Sequence, residues 1–108
     1  SSFAMIFAKE LFPVEVEILI KKERKEENIV VRKQHLDSNH HVNNAQYVSM
    51  AMECLQEDLV IRQLRVEYKR QAHLGDVLVP YVVTEEGRKV VSLRDENDLV
   101  YVNVEVMH

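Results

Sequence analysis

The sequence predicts an α+β fold in which a curved antiparallel sheet wraps around one long central helix. Three observations predict it. One helical segment, Asn44–Gln56, is apolar around most of its girth, so it has to be covered on several sides. Four strand-like segments follow it, joined by short turns that suit antiparallel neighbours. The chain has 108 residues with only 2 Gly and 2 Pro, enough for a single core and too little punctuation for a long disordered region.

Taken in order, Val14–Ile20 (VEVEILI) begins with apolar and acidic residues in alternation, the pattern of an exposed or edge strand. Lys21–Glu27 (KKERKEE) reads as a solvated turn or linker. Residues 1–27 are therefore expected to be an N-terminal or interdomain segment, and 28–108 a single domain. Asn28–Leu36 reads as a strand centred on Val30 and Val31. In the helix, Tyr47, Met50, Ala51 and Cys54 fall at i, i+3, i+4 and i+7 on one face, widened by Val48, Met52 and Leu55. Ser49, Glu53 and Gln56 leave only a narrow polar stripe. Strands are expected within Leu59–Arg70, over Val77–Thr84 with Pro80 marking an edge or bulge, over Val90–Arg94, and from Val100. There Val100, Val102, Val104 and Val106 alternate with Tyr101, Asn103, Glu105 and Met107. Strand, helix and four antiparallel strands make the hotdog arrangement.

Composition narrows the function classes. A formal net charge of −4 disfavours nucleic acid as the main partner. Cys54 is the single cysteine and has no internal disulfide partner, so a reducing, cytoplasmic setting is the simpler reading. The longest apolar runs fall short of the ~20 residues needed to span a bilayer, and the opening SSFAMIFAKELF does not read as a signal peptide. There is no metal signature of the CxxC or HExxH type, no phosphate-cradling glycine loop and no internal repeat. No metal and no cofactor are expected.

The stretch Leu36–Tyr47 (LDSNHHVNNAQY) places one Asp, three Asn and two His at the strand-to-helix junction. A helix start leaves its first N–H groups unpaired and carries partial positive charge. Asn43 or Asn44 is an N-cap candidate, and Asp37 and Asn39 can tie down the preceding turn. Capping explains the amides and the carboxylate. It does not explain the imidazoles, because a cap has no use for a group that titrates near neutral pH.

Asp37, Asn39, His41, Val42, Asn43, Asn44 and Tyr47 stand in the pattern D-x-N-x-H-V-N-N followed by an aromatic, and VEYKRQAHLGD comes next at Val66–Asp76. Together these resemble the C-terminal hotdog domain of the acyl-acyl-carrier-protein thioesterase family. The resemblance covers about Ile29 to Asp76. It implies hydrolysis of fatty acyl-carrier-protein thioesters to free fatty acid and carrier thiol, with Asp37, Asn39, His41 and Gln71 in the catalytic group. It makes His41, not His40, the functional histidine, and places Asn43, Asn44 and Tyr47 against substrate. His35 and His73 read as turn or surface residues. Family members usually carry two hotdog domains in tandem, and this chain has room for the second, catalytic one. A homodimer is expected to stand in for the missing half.

The sequence departs from the family in one place. Where relatives commonly show Y-[RK]-R-E-C, this chain has Tyr68, Lys69, Arg70, Gln71 and Ala72. Ala72 excludes a cysteine nucleophile there, and Gln71 hydrogen-bonds but does not act as a base. Cys54, on the apolar helix face, reads as a small buried hydrophobe. Strict alternation puts Gln71 outward with Arg65, Glu67 and Lys69 unless a bulge re-aims it. A working thioesterase, a hotdog acyl-CoA thioesterase and a weakly active acyl- or carrier-binding domain therefore remain open. Carrier proteins are acidic, so Arg62, Arg65, Lys69 and Arg70, with Arg32 and Lys33, are docking candidates.

Overall fold

The computed structural model describes residues 23–108. The expected strand at Val14–Ile20 and the apolar segment Phe3–Phe12 lie outside the described residues. Six strands and one helix make up the described chain: β1 (Arg24–Lys25), β2 (Ile29–Val30), α1 (Asn44–Glu53), β3 (Gln63–Tyr68), β4 (Val77–Glu85), β5 (Arg88–Arg94) and β6 (Val100–Met107). The sheet runs β1-β4-β5-β6-β3, with β2 also on β4, and every pairing is antiparallel. The chain is a hotdog fold.

Alternation decides which face the helix covers. In register, Leu64, Val66 and Tyr68 of β3 lie opposite Val106, Val104 and Val102 of β6, while Val91 and Leu93 of β5 flank the same row. Val91, Leu93, Val102, Val104 and Val106 are fully buried under Tyr47, Met50, Ala51, Cys54 and Leu55. Each such side chain contributes roughly 1.5–3 kcal/mol of burial, so this one layer carries the fold. The opposite face is polar and laced together: Glu105 takes Arg88 at 2.7 Å and Arg65 at 3.5 Å, and Asn103 donates to Glu67 at 3.0 Å. Glu105 and Asn103 are nonetheless buried, because these long neighbours cover them.

Several boundaries differ from the sequence reading, each for a local reason. The charged run contains β1, which pairs Arg24 with Val82 and Lys25 with Tyr81. The strand expected over Asn28–Leu36 stops early. Val31 still donates to Asp76, but a 3-10 turn at Lys33–His35 then bends the chain, with His35 Nδ1 accepting from the Arg32 N–H at 2.9 Å. The helix ends at Glu53, and Gln56 adopts a left-handed φ of 55°. Pro80 lies where the ladder on one side of β4 is interrupted. Its carbonyl accepts from the Glu26 N–H between β1 and β2, so its missing donor faces the gap between those short strands.

A polar cleft at the helix start

Asp37 organises the loop before the helix. Its Oδ1 accepts from the N–H of Asn39 at 2.9 Å and of His41 at 3.1 Å, while its own N–H donates to the His41 carbonyl at 2.8 Å. His40 takes the turn with φ 62°, a left-handed conformation that presents it as a loop residue. The backbone N–H of His41, followed by that of Asn39, holds the Asp37 carboxyl below its usual range. Leu36 and Val42 bridge the base of the loop, and Val42 is buried, so His41 is fixed one residue from the core.

Asn43 is the N-cap. Its carboxamide oxygen accepts from the Ala45 N–H at 2.9 Å and its carbonyl from the Gln46 N–H at 2.9 Å. The Asn44 N–H is left as the helix donor with no hydrogen-bond partner among the described residues. One turn on, the buried Tyr47 hydroxyl accepts from the Ala72 N–H at 2.9 Å, and burial raises its pKa. That bond joins the helix to the end of β3.

The end of β3 is where alternation breaks. The Lys69 and Arg70 N–H groups both donate to the Tyr101 carbonyl, at 2.8 and 3.1 Å, the hydrogen-bond pattern of a β-bulge, so the regular ladder and its strict alternation stop there. Gln71, which strict alternation sends outward, is exposed and lies among the residues that line the cleft, while Ala72 beyond it is buried in the core. An open cleft of about 560 Å³ results, lined by Asp37, His41, Asn43, Asn44, Gln71 and Tyr68 among others.

The structure brings together most of the residues singled out from sequence. Asp37, His41, Asn43, Asn44, Tyr47, Lys69, Arg70 and Gln71 all line the cleft. Asn39 does not; it is exposed, with its N–H spent on Asp37. Of the basic residues, Arg65 faces the outer surface beside Glu105, and Arg70 is held by Asp95 at 2.7 Å. Lys69 has Glu67 at 4.0 Å, and Arg62 is exposed before β3. His73 stays in its turn beside Asp76. Cys54 donates to the Met50 carbonyl, and burial pushes its thiol up to about 11, so it behaves as a core residue.

Tyr68 is a cleft residue that the sequence reading passed over. Its ring meets Tyr47 edge-on at 6.0 Å, and its hydroxyl donates to the Asn44 carbonyl at 3.4 Å. The signal was present: Tyr68 shares the core-facing parity of Leu64 and Val66, and sits where the strand leaves the helix.

The sequence family described as the acyl-ACP thioesterase C-terminal domain matches residues 19–105, and the chain belongs to it. Solved structures share the fold. An acyl-ACP thioesterase from Bacteroides thetaiotaomicron superposes with a TM-score of 0.67 at 17% identity, over 78% of this chain and 37% of that one. The chain thus spans little more than a third of that relative. A Staphylococcus aureus protein solved in complex with CoA gives 0.66 at 18% identity, over 81% of this chain and 77% of that one. A 1,4-dihydroxy-2-naphthoyl-CoA thioesterase from Synechocystis gives 0.65 at 13%, over 78% of each chain. Comparison with curated proteins by sequence returns no match.

This geometry has two measurable consequences. Tyr47→Phe leaves the buried Ala72 N–H unpaired and is expected to cost ~1–3 kcal/mol in urea unfolding; a loss of stability close to zero would show that the bond does not tie the two elements. The depressed pKa of Asp37 gives stability present above its unfolded value, near ~4, and lost as pH falls through the lower folded value. Asp37→Asn keeps an acceptor for both N–H groups but cannot titrate, so it is expected to flatten part of the acid limb of a stability-versus-pH curve.

Proposed function

We propose that this chain is a thioester hydrolase acting on fatty acyl-carrier-protein thioesters, releasing free fatty acid and carrier thiol, as the catalytic half of a tandem hotdog enzyme. The carrying observation is one cleft lined by His41, Gln71 and Asn44, whose N–H at the helix start has no hydrogen-bond partner among the described residues, in a chain of this family.

The chemistry uses each group once. A thioester carbonyl lying at the helix start is polarised by the Asn44 N–H, which also holds the oxyanion that forms. His41 takes a proton from the attacking water as the new C–O bond forms. Collapse of the oxyanion breaks the C–S bond, and the imidazolium returns its proton to the departing thiolate. Asp37 keeps His41 in place through the backbone of its loop. Gln71 orients water by its carboxamide but accepts no proton, so turnover is slow. Asn39 ties down the turn through its backbone N–H and lies off the cleft lining, so its carboxamide would reach water or the carbonyl only from the rim.

A second reading, an acyl-CoA donor, is favoured by the structural likeness to a CoA-bound protein and to an acyl-CoA thioesterase. Both donors present the same thioester. A third, acyl or carrier binding with little hydrolysis, draws on Gln71 and Ala72 standing in place of Glu and Cys. Among the basic residues, Lys69 and Arg62 suit contact with an acidic carrier; Arg65 sits beside the buried Glu105, and Arg70 is taken by Asp95. The domain boundary expected after residue 27 falls earlier, since β1 at Arg24–Lys25 already belongs to the sheet, and we place the protein in the cytoplasm.

Free-thiol release from a long-chain acyl-carrier protein and the matching acyl-CoA tests the assignment. His41→Ala is expected to lower the rate by ~10²-fold or more, and Gln71→Glu to raise it. Undiminished turnover in His41→Ala would remove the catalytic role.

Strand β3 ends the sheet, and among the described residues its outer edge has no partner. Leu64 is 41% exposed on it, and Val60 and Ile61 lie exposed just before it. An edge of this kind invites pairing, and a second copy of this chain is the proposed occupant. Light scattering at working concentration is expected to give a dimer; a monomer rejects the assembly.

A further inference from the structure

The bulge at Lys69–Arg70 decides which way Gln71 points, yet two N–H groups sharing one carbonyl are a weak anchor for a strand end. The Arg70 side chain supplies a stronger one. Its Nη2 donates to Asp95 Oδ2 at 2.7 Å and to the Leu99 carbonyl at 3.2 Å, and its guanidinium lies 4.1 Å over the Tyr101 ring. All these partners belong to the β5–β6 turn or the start of β6, next to the carbonyl on which the bulge forms. Asp95 is itself held, its Oδ1 accepting from the N–H of Asn97 at 2.7 Å and of Leu99 at 3.0 Å.

We propose that Arg70 is a positioning residue: clamped between Asp95, Leu99 and Tyr101, it locks the bulge and so presents Gln71 to the cleft. This competes with a carrier-docking role for Arg70, because its Nη2 donors and one face of its guanidinium are already engaged. A planar, forked cation is required, since the clamp uses both a directed carboxylate contact and ring stacking. The inference deepens the thioesterase reading and rests on the place of Gln71 in it.

Two variants separate the clamp from docking. Asp95→Asn keeps an oxygen for the turn N–H groups but puts an amide where Oδ2 met the guanidinium. Arg70→Lys keeps the charge and loses the fork and the stacking. With dodecanoyl-carrier protein and dodecanoyl-CoA as probes, both are expected to lower kcat on the order of 10-fold with KM unchanged, as for a misaimed group. In a Gln71→Ala background neither variant is expected to lower kcat further, because the clamp acts through that side chain. Parent-like kcat in both variants, or an effect confined to KM that salt abolishes, overturns the proposal.

A second readout needs no turnover. In a ¹H–¹⁵N spectrum of the labelled chain, the Gln71 side-chain amide is expected to shift in both variants while that of Asn39 stays. If the parent hydrolyses neither probe but the shift appears, the thioesterase reading falls and the clamp stands. If Gln71 does not move in either variant, the clamp falls whatever the turnover.

Discussion

A single buried hydrogen bond holds the two halves of the cleft in register. The Tyr47 hydroxyl, one turn into the helix, accepts from the Ala72 N–H just past the end of β3, 25 residues away in sequence. On one side of that bond lie His41, the cap Asn43 and the free Asn44 N–H; on the other lies Gln71. Neither element fixes the distance by itself, because a helix packed on a sheet through aliphatic contacts can slide by a fraction of a residue at small cost. A buried donor with one acceptor cannot. The T-shaped contact of Tyr47 with Tyr68 and the Tyr68 bond to the Asn44 carbonyl brace the same junction from the strand side.

The residues around that bond divide the labour between chemistry and support. Asp37 stands at the cleft, yet one of its oxygens is spent on the loop backbone that carries His41. Arg70 also reaches the cleft wall, yet its guanidinium belongs to the β5–β6 turn. A count of charges along the sequence treats Arg62, Arg65, Lys69 and Arg70 alike. Their surroundings sort them, since a cation already paired with a carboxylate has little left to offer a distant acidic partner.

Gln71 and Ala72 follow directly on the bulge, one lining the cleft and the other in the core. The methyl of Ala72 is fully buried, and its backbone is put to work in the Tyr47 bond, so the position is structural here. An amide at 71 leaves Asp37 as the one carboxylate lining the cleft among the described residues. In the proposed mechanism, proton transfer then falls to the imidazole of His41, and the rate depends on how well the neutral groups hold water and carbonyl in line.

The sequence by itself determined the helix and the three long strands β4, β5 and β6, because periodicity and turn chemistry act between residues a few positions apart. The valine alternation of β6 and the amide-rich junction before the helix read correctly for that reason, and the structure chose Asn43 over Asn44 as the cap. Only the tertiary structure decided the facing of Gln71, the exclusion of Asn39 from the cleft, the inclusion of Tyr68 and the capture of Arg70 by Asp95. The bulge next to Gln71 exists because the N–H groups of Lys69 and Arg70 find one carbonyl, that of Tyr101, on a strand far along the chain. No local pattern encodes that meeting; it arises when the sheet closes over the helix and unsatisfied backbone donors take the acceptor within reach.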